Sequence, residues 1–386
     1  MSEIKVNSIK GVNSTDAAIT INNTDGTCTA NLTNRTNKNL WINGACLVNQ
    51  RGSSSTSEGY QTIDRFYVGS GGTNEAPTQA QVDVASGTTP YTLGFRKALK
   101  ITNGNQTSGA GTADFMYLKY CFEAQDIANS GWNYLSSSSF ITLSFYVKSS
   151  VAQSFKAYFH TRQGTEYQYP FETGSLSADT WTKVTKTISG NSNLTFNSDN
   201  GLGLELYIWS FIGTDYTASS VTEDAWSTYT NAARTKDATS TWYTTNDATL
   251  EFTGFQFEVS DHATDFEHRS FAQELTLCQR YFQRVPKNPS DGYGGICNGR
   301  VNDSTTAELL LNFSEMRATP TLTSSGNRRI LHGGSAKGVT GVNLIHGSKT
   351  TIFFSATVAS GLTAGDSAQL TMNNDTTAHI ALSAEL

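Results

Sequence analysis

Seven segments of this chain alternate apolar and polar residues with the two-residue period of a β-strand. They are LGFRKALKI (93–101), FMYLKYCFEA (115–124), FITLSFYVK (140–148), SFKAYFHT (154–161), WTKVTKTI (181–188), LGLELYIWSF (202–211) and LEFTGFQFEV (250–259). Each is rich in β-branched and aromatic residues and is set off by turn formers. Helical periodicity does not intervene between them, so the pattern fits two antiparallel sheets packed face to face, the arrangement of a jelly roll. Two weaker strands nearer the N-terminus bring the expected total to nine. DIANSGWNYL (126–135) is the one short helical interruption, with Trp132 and Tyr134 expected to plug the core.

The flanks read differently. Residues 1–39 alternate weakly and carry too little apolar surface for a core of their own, which predicts an arm that docks onto something else. NLWINGACLVNQRG then opens the compact region, with Leu40, Ile42, Ala45 and Leu47 as expected anchors. Past the last strand, Phe271, Leu275, Cys278 and Phe282 step at helical spacing until Pro286. Ser270 with Gln273 makes a capping box at the start, and Arg280 and Arg284 suit the negative end. Beyond it, GGICNGRV, TAELLLNF, VNLIH, TIFFSATV and TAHIALSAEL alternate again. The expected fold is therefore all-β: a jelly-roll β-sandwich followed by one short helix and a smaller C-terminal β domain, with an extended N-terminal arm. The expected boundaries are 1–39 for the arm, 40–268 for the sandwich, 269–286 for the helix and 287–386 for the C-terminal domain.

Charge removes several functions. The 27 basic residues are scattered among 33 acidic ones, and the net charge is -6, which argues against nucleic acid. No apolar run approaches the ~18 residues of a membrane span, and the N-terminus lacks the pattern of a secretory signal. The five cysteines are far apart with no CxxC pair, so they read as reduced thiols rather than a zinc site. The charge-dense stretch FEVSDHATDFEHRS (257–270) invites a metal reading. Yet His262 and His268 are six apart, about 20 Å along a strand and about 240° around a helix, which one zinc cannot bridge. The stretch reads as an exposed junction, and no metal or cofactor is expected.

KNLWINGACLVNQRG, the following IDRF, FTGFQFEVSDHATDFEHRSFAQELTLCQRYFQ, GGICNGRV and FSEMRATPTLT together resemble structural proteins of tailed bacteriophages, in particular tail-fibre or appendage proteins. Residues 40–260 are similar in layout to the jelly-roll carbohydrate-binding modules of glycoside hydrolases. The resemblance implies a virion protein made in the host cytoplasm. It implies a homotrimeric fibre, spike or whisker attached to other virion proteins through residues 1–39, whose distal surface binds host polysaccharide without cleaving it. A capsid decoration or tail-assembly protein is the alternative, and a polysaccharide-degrading tailspike a third reading. No nucleophile elbow, HExxH or phosphate loop is present, so an enzyme is not expected.

Sugar recognition uses an aromatic face against the C–H face of a pyranose, flanked by side chains that hydrogen-bond to hydroxyls. Trp226, Tyr229, Trp242 and Tyr243 in the long connection 224–247 are the first candidates. Arg162, Glu166 and Tyr167, with Gln163 and Tyr169, in the hairpin-like HTRQGTEYQYPFE are the second. Packing competes with both: Trp242 and Tyr243 would begin the next strand, Trp226 would cover the sandwich edge, and the hairpin would be a solvated turn.

Overall fold

A computed structural model describes residues 6–10, 12, 17–21, 24, 28–30, 37–286 and 291–386. In chain order its strands are β1 (Ser8–Lys10), β2 (Ala17–Ile21), β3 (Cys28–Ala30), β4 (Ser54–Ser55), β5 (Tyr67–Gly71), β6 (Thr78–Asp83), β7 (Lys97–Thr102), β8 (Phe115–Glu123), β9 (Phe140–Ser149), β10 (Lys156–Thr161), β11 (Tyr167–Glu172), β12 (Thr182–Ser189), β13 (Leu202–Ile212), β14 (Ser227–Thr228) and β15 (Thr249–Glu258). There follow β16 (Phe282–Val285), β17 (Gly295–Val301), β18 (Thr306–Asn312), β19 (Thr321–Ser325), β20 (Arg328–His332), β21 (Ser335–Gly347), β22 (Thr351–Val358), β23 (Ser367–Met372) and β24 (His379–Ser383). The helices are short: α1 (Thr89–Thr92), α2 (Ala124–Ala128), α3 (Thr241–Thr244) and α4 (Phe271–Gln279).

The chain is all-β, and its largest unit is a jelly-roll sandwich. One sheet runs β14-β11-β10-β13-β8-β5 and the other β12-β9-β15-β7-β6-β4, every pairing antiparallel. Alternation sends Met116, Leu118, Tyr120 and Phe122 of β8 and Leu204, Leu206 and Ile208 of β13 inward. They meet Ile141, Leu143, Phe145 and Val147 of β9 and Phe252, Phe255 and Phe257 of β15. Each large side chain so sealed contributes about 1.5–3 kcal/mol. All seven expected strands are present. The Gly/Ser/Thr-rich stretch also yields β4, β5 and β6, and half of the predicted hairpin loop is β11, so twelve strands form where nine were expected.

The segment at 39–48 plugs the sandwich with Ala45 buried as expected but with the parity of its first residues reversed. Trp41 is fully buried between Tyr120 and Phe255, at centroid distances of 3.8 and 4.4 Å, while Leu40, Ile42 and Leu47 are only half-buried. Asn39 sets this parity by bonding across to the Phe255 carbonyl and the Phe257 N–H. At Gly44 a Cβ would lie 2.0 Å from the Phe255 carbonyl oxygen, so only glycine allows the approach.

The connecting helix is shorter than its periodicity suggested. The capping box at Ser270 and Gln273 forms as expected, but α4 ends at Gln279 after nine residues, and 282–285 is strand. Tertiary contacts pull the chain out of the helix. Arg280 makes a bidentate pair with Glu123 at 2.7 and 2.7 Å, and the Tyr281 hydroxyl donates to the same carboxylate at 2.6 Å. Burial alone would raise the Glu123 carboxyl, but these bonds hold it below its ordinary value. The buried face of the helix is Glu274, Cys278 and Gln279, whereas Phe271 is exposed.

The strand β16 pairs with β24, in a three-stranded sheet β16-β24-β19 beside a closed barrel β17-β18-β22-β21-β20-β23. The C-terminal β unit thus takes up chain from 282 onward rather than from 287, and residues 287–290 lie outside the described residues. Its core is mostly aliphatic, built on Leu309, Ile330, Ile352, Leu370 and Ile380 around Phe354. The last residues return to the sandwich: Glu385 accepts from Arg51 at 2.9 Å and from the buried Arg65, and Tyr60 donates to the Leu386 carbonyl at 3.0 Å. The expected arm falls partly outside the described residues; within it β1, β2 and β3 form a small antiparallel sheet.

The charge-dense stretch is a clasp rather than a solvated junction. Glu258 is buried and accepts from Thr264 N–H and hydroxyl and from Gln256, at 2.6–2.9 Å. Glu267 accepts from Asn39 N–H at 2.8 Å, and Arg269 donates to the Asn39 and Trp41 carbonyls. His268 bonds the Leu93 carbonyl at 2.8 Å, and His262 pairs with its neighbour Asp261 at the surface. Among the described residues, no group of three or more His, Cys, Asp or Glu could hold a metal ion.

Candidate functional site

The two sheets of the sandwich bury one face each, and their outer faces have different chemistry. On β13 the residues opposite Leu204, Leu206 and Ile208 are Glu205, Tyr207 and Trp209, so this strand is substantial on both sides. Antiparallel register extends the pattern across the sheet. Tyr207 lies opposite Tyr158 of β10 and Lys119 of β8, and Lys119 opposite Tyr67 of β5. One row is therefore Tyr158, Tyr207, Lys119 and Tyr67, with Tyr67 and Tyr207 about 10 Å apart at the usual strand spacing. The next row joins Gln168, His160, Glu205 and Cys121, and the row on the other side joins Trp209, Tyr117 and Gly69.

The rings form a continuous platform. Tyr67 and Tyr117 are 6.1 Å apart and nearly parallel; Tyr117 meets Tyr207 at 5.1 Å, and Tyr207 lies 5.0 Å from Tyr158 at an interplanar angle of 4°. Glycine on the edge strand makes room for it. A Cβ at Gly69 would be 2.5 Å from the Tyr117 ring, and one at Gly71 would be 2.5 Å from the Phe115 ring. These rings therefore lie over β5. The connection 213–240 covers the far end of the platform, where Tyr216 and Tyr229 pack with the buried Tyr158 and Trp209 and the Arg234 guanidinium lies 4.6 Å from the Tyr216 ring centre. Tyr67, Tyr117 and Tyr207 stay half-exposed.

Polar groups converge beside the platform. The His160 side chain is buried, with Nε2 2.9 Å from Glu166, Nδ1 3.4 Å from Arg162 and 3.6 Å from Glu205, and Tyr229 stacked on it at 4.0 Å. Burial and the Arg162 guanidinium push its pKa down to about 4, against the pull of Glu166. The ring is thus neutral at pH 7: Nε2–H donates to Glu166, and Nδ1 accepts from Arg162. Arg162 also bridges Glu166 at 3.3 Å and Glu205 at 3.5 Å. Glu205 takes the Tyr207 hydroxyl at 3.3 Å and lies 3.6 Å from Lys119. Burial raises the Tyr67 hydroxyl to about 12 and raises Tyr117 and Tyr207 further, so all three phenols stay protonated donors.

The sequence candidates separate cleanly on this framework. Arg162, Glu166 and Tyr229 stand together beside the platform. Tyr167 turns to the other side of its strand, against the core with Trp226. Trp226 is half-buried, donates to the Ser189 carbonyl at 2.8 Å and packs on Tyr169, which makes it an edge cover. Trp242 and Tyr243 are wholly inaccessible and offer no face to a ligand. Trp242 donates to the Thr249 carbonyl, and Tyr243 stacks on Phe211 at 4.4 Å and donates to Asp114. The residues that sequence reasoning missed are Tyr67, Tyr117, Tyr207, His160 and Glu205. The available signal was the run ELYIWSF in β13, whose second face is too aromatic for simple solvent exposure.

No protein-family model matches the chain, and no curated protein matches it. Solved structures similar to it include the enzymatically active domain of bacteriophage CBA120 tailspike protein 4, at 9% identity and a TM-score of 0.31, covering 57% of this chain and 21% of that one. A family 4 carbohydrate-binding module is similar at 11% identity and a TM-score of 0.29, covering 56% and 98%. A family 22 xylan-binding domain from Paenibacillus barcinonensis is similar at 14% identity and a TM-score of 0.26, covering 55% and 95%.

Proposed function

We propose that the chain is a glycan-binding virion appendage, a tail fibre, spike or whisker that holds host-surface polysaccharide without cleaving it. The observation that carries the binding reading is the row of half-exposed tyrosines across one outer sheet face, flanked by Arg162, Glu166 and Lys119. Aromatic faces take the apolar side of a sugar ring, and the flanking groups reach its hydroxyls. The row from Tyr67 to Tyr207 suits a disaccharide-sized stretch of a longer glycan.

Binding rather than hydrolysis is favoured by how the carboxylates are used. Glu166 is engaged by His160 and Arg162, and Glu205 by Arg162, Tyr207 and Lys119. Neither stands free as the acid or base that glycoside hydrolysis requires. The virion role rests on the motif resemblance, and homotrimeric assembly with attachment through residues 1–39 belongs to the same reading. Weak single sites would then be strengthened by multivalency.

The test is binding of the full chain to host-envelope polysaccharide, with reducing ends measured in the same samples. Retention that Tyr117→Ala and Tyr207→Ala each reduce, with no new reducing ends, is expected. Equal retention by the variants would remove the face from the reading, and released reducing ends would replace binding by cleavage. Cryo-electron microscopy of the virion tests its place: icosahedral copies would favour the capsid-decoration alternative.

A further inference from the structure

The C-terminal barrel carries a cleft of about 730 Å³ on its outer surface, on a different unit from the aromatic platform. Its wall is formed by Asn298, Arg329, His332, Gly334, Ser335 and Gln369, among others. The volume falls within the range of small-molecule sites, about 300–1,000 Å³. Arg329, Leu331 and Gln369 alternate along their strands with the buried Ile330 and Leu370, which fixes this side of the sheet as outward.

One side chain here, Arg329, is positioned without a partner for its terminal nitrogens among the described residues. Arg329 is anchored at its stem: Nε donates to Thr371 at 3.2 Å, and the guanidinium lies 4.7 Å from the Tyr293 ring centre. Its terminal nitrogens make no hydrogen bond or ion pair among the described residues, which leaves a held fork of donors. His332 shares the inward parity of Ile330, is buried, and directs Nδ1 to Asp366 at 3.3 Å. The turn between β20 and β21 maintains this pairing. Gly333 and Gly334 have φ of +47° and +78°, and a Cβ at Gly333 would meet the Asp366 carboxylate at 2.9 Å.

We infer that this cleft binds a carboxylate-bearing sugar unit. The Arg329 fork matches a carboxylate in bidentate geometry. The exposed amides of Asn298 and Gln369 supply both donors and acceptors for the sugar hydroxyls. Asp366, which borders the turn at Gly333, is tied to His332, so the fork stands clear to meet an anion. This site is independent of the sheet-face reading: it uses another unit and another ligand charge.

The probe is D-glucuronate, titrated into the full chain by calorimetry and ligand-observed NMR, with D-glucose as the neutral comparison. Glucuronate is expected to bind at least tenfold tighter than glucose, and Arg329→Gln to weaken it at least tenfold. Gln369→Ala, at an exposed position, weakens it about two- to fivefold without moving the melting temperature, which keeps the test clear of a folding defect. No glucuronate binding, binding that Arg329→Gln leaves intact, or glucose binding as tight as glucuronate overturns the inference. Loss of glucuronate binding in Tyr207→Ala also overturns it, because the ligand would then sit on the sandwich.

Discussion

The two outer faces of the sandwich come from strands of similar composition on their inner sides, yet they do opposite things. On the sheet containing β9 and β15 the outward residues are mostly polar, with Thr142, Ser144, Lys148, Glu251, Thr253, Gln256 and Glu258 around Tyr146, and the stretch 260–268 packs on this face, Phe266 joining Tyr146 in one apolar cluster. Thr142 donates to the Ser260 carbonyl and Thr187 to that of Asp261, while Gln256 and Glu258 tie down Thr264 and Glu267. On the sheet containing β8 and β13 aromatic residues face outward beside His160, Glu205 and Lys119, and the connection carrying Tyr216, Tyr229 and Arg234 covers one end. Polar side chains on the first face are consumed by the chain's own backbone, whereas half-exposed rings are left over on the second. A face whose hydrogen-bonding capacity is spent on the fold has little left to offer a ligand.

Four measurements would break or sharpen this contrast. Replacing Glu258 with Ala leaves the Thr264 N–H without its acceptor, and should cost about 2–4 kcal/mol in urea denaturation with glycan binding unchanged. A loss of binding with stability intact would mean the clasp is not what that face does. The reverse split is expected for Tyr207→Ala. Affinity should fall at least tenfold, about 1.4 kcal/mol, with a smaller effect on unfolding because the ring is half-exposed.

The third measurement concerns pH. His160, faced by Glu166, Glu205, Arg162 and Arg234, has its pKa lowered from 6.5 to about 4. On acidification the unfolded chain takes up this proton first, so the stability contribution is whole above pH 6.5 and is lost on descending toward pH 4. His160→Gln should remove that part of the slope. An unchanged stability profile would show that folding does not shift the titration of this ring. The smallest effect is expected for Lys148→Ala on the spent face. Its ion pair with Glu251 at 3.0 Å is partly exposed, so about 0.5 kcal/mol or less should be lost. Retention on polysaccharide should not move; a drop would make this face part of the binding surface.

Strand identity was legible because the two-residue period is a local property of the backbone: side chains on successive residues must point to opposite faces. Alternation, turn residues and the Ser270 capping box therefore placed the sheets, the order of the units and the start of α4. The ends of elements depended on distant partners. Arg280 and Tyr281 left the helix for Glu123, a residue far away in sequence, and Phe282 joined a strand at the other end of the chain. The site divided in the same way. Arg162, Glu166 and Tyr229 could be nominated from their residue types, but Trp242 and Tyr243 have equally suitable chemistry and are sealed inside. Tyr67, Tyr117 and Tyr207 sit on three strands whose adjacency is set by hydrogen-bond register, not by sequence distance. By itself the sequence determined that sheets would form and which residues would share a side of each strand. Only the tertiary structure decided which sides met in the core and which strands became neighbours, because register and sheet packing are long-range choices that no local pattern encodes.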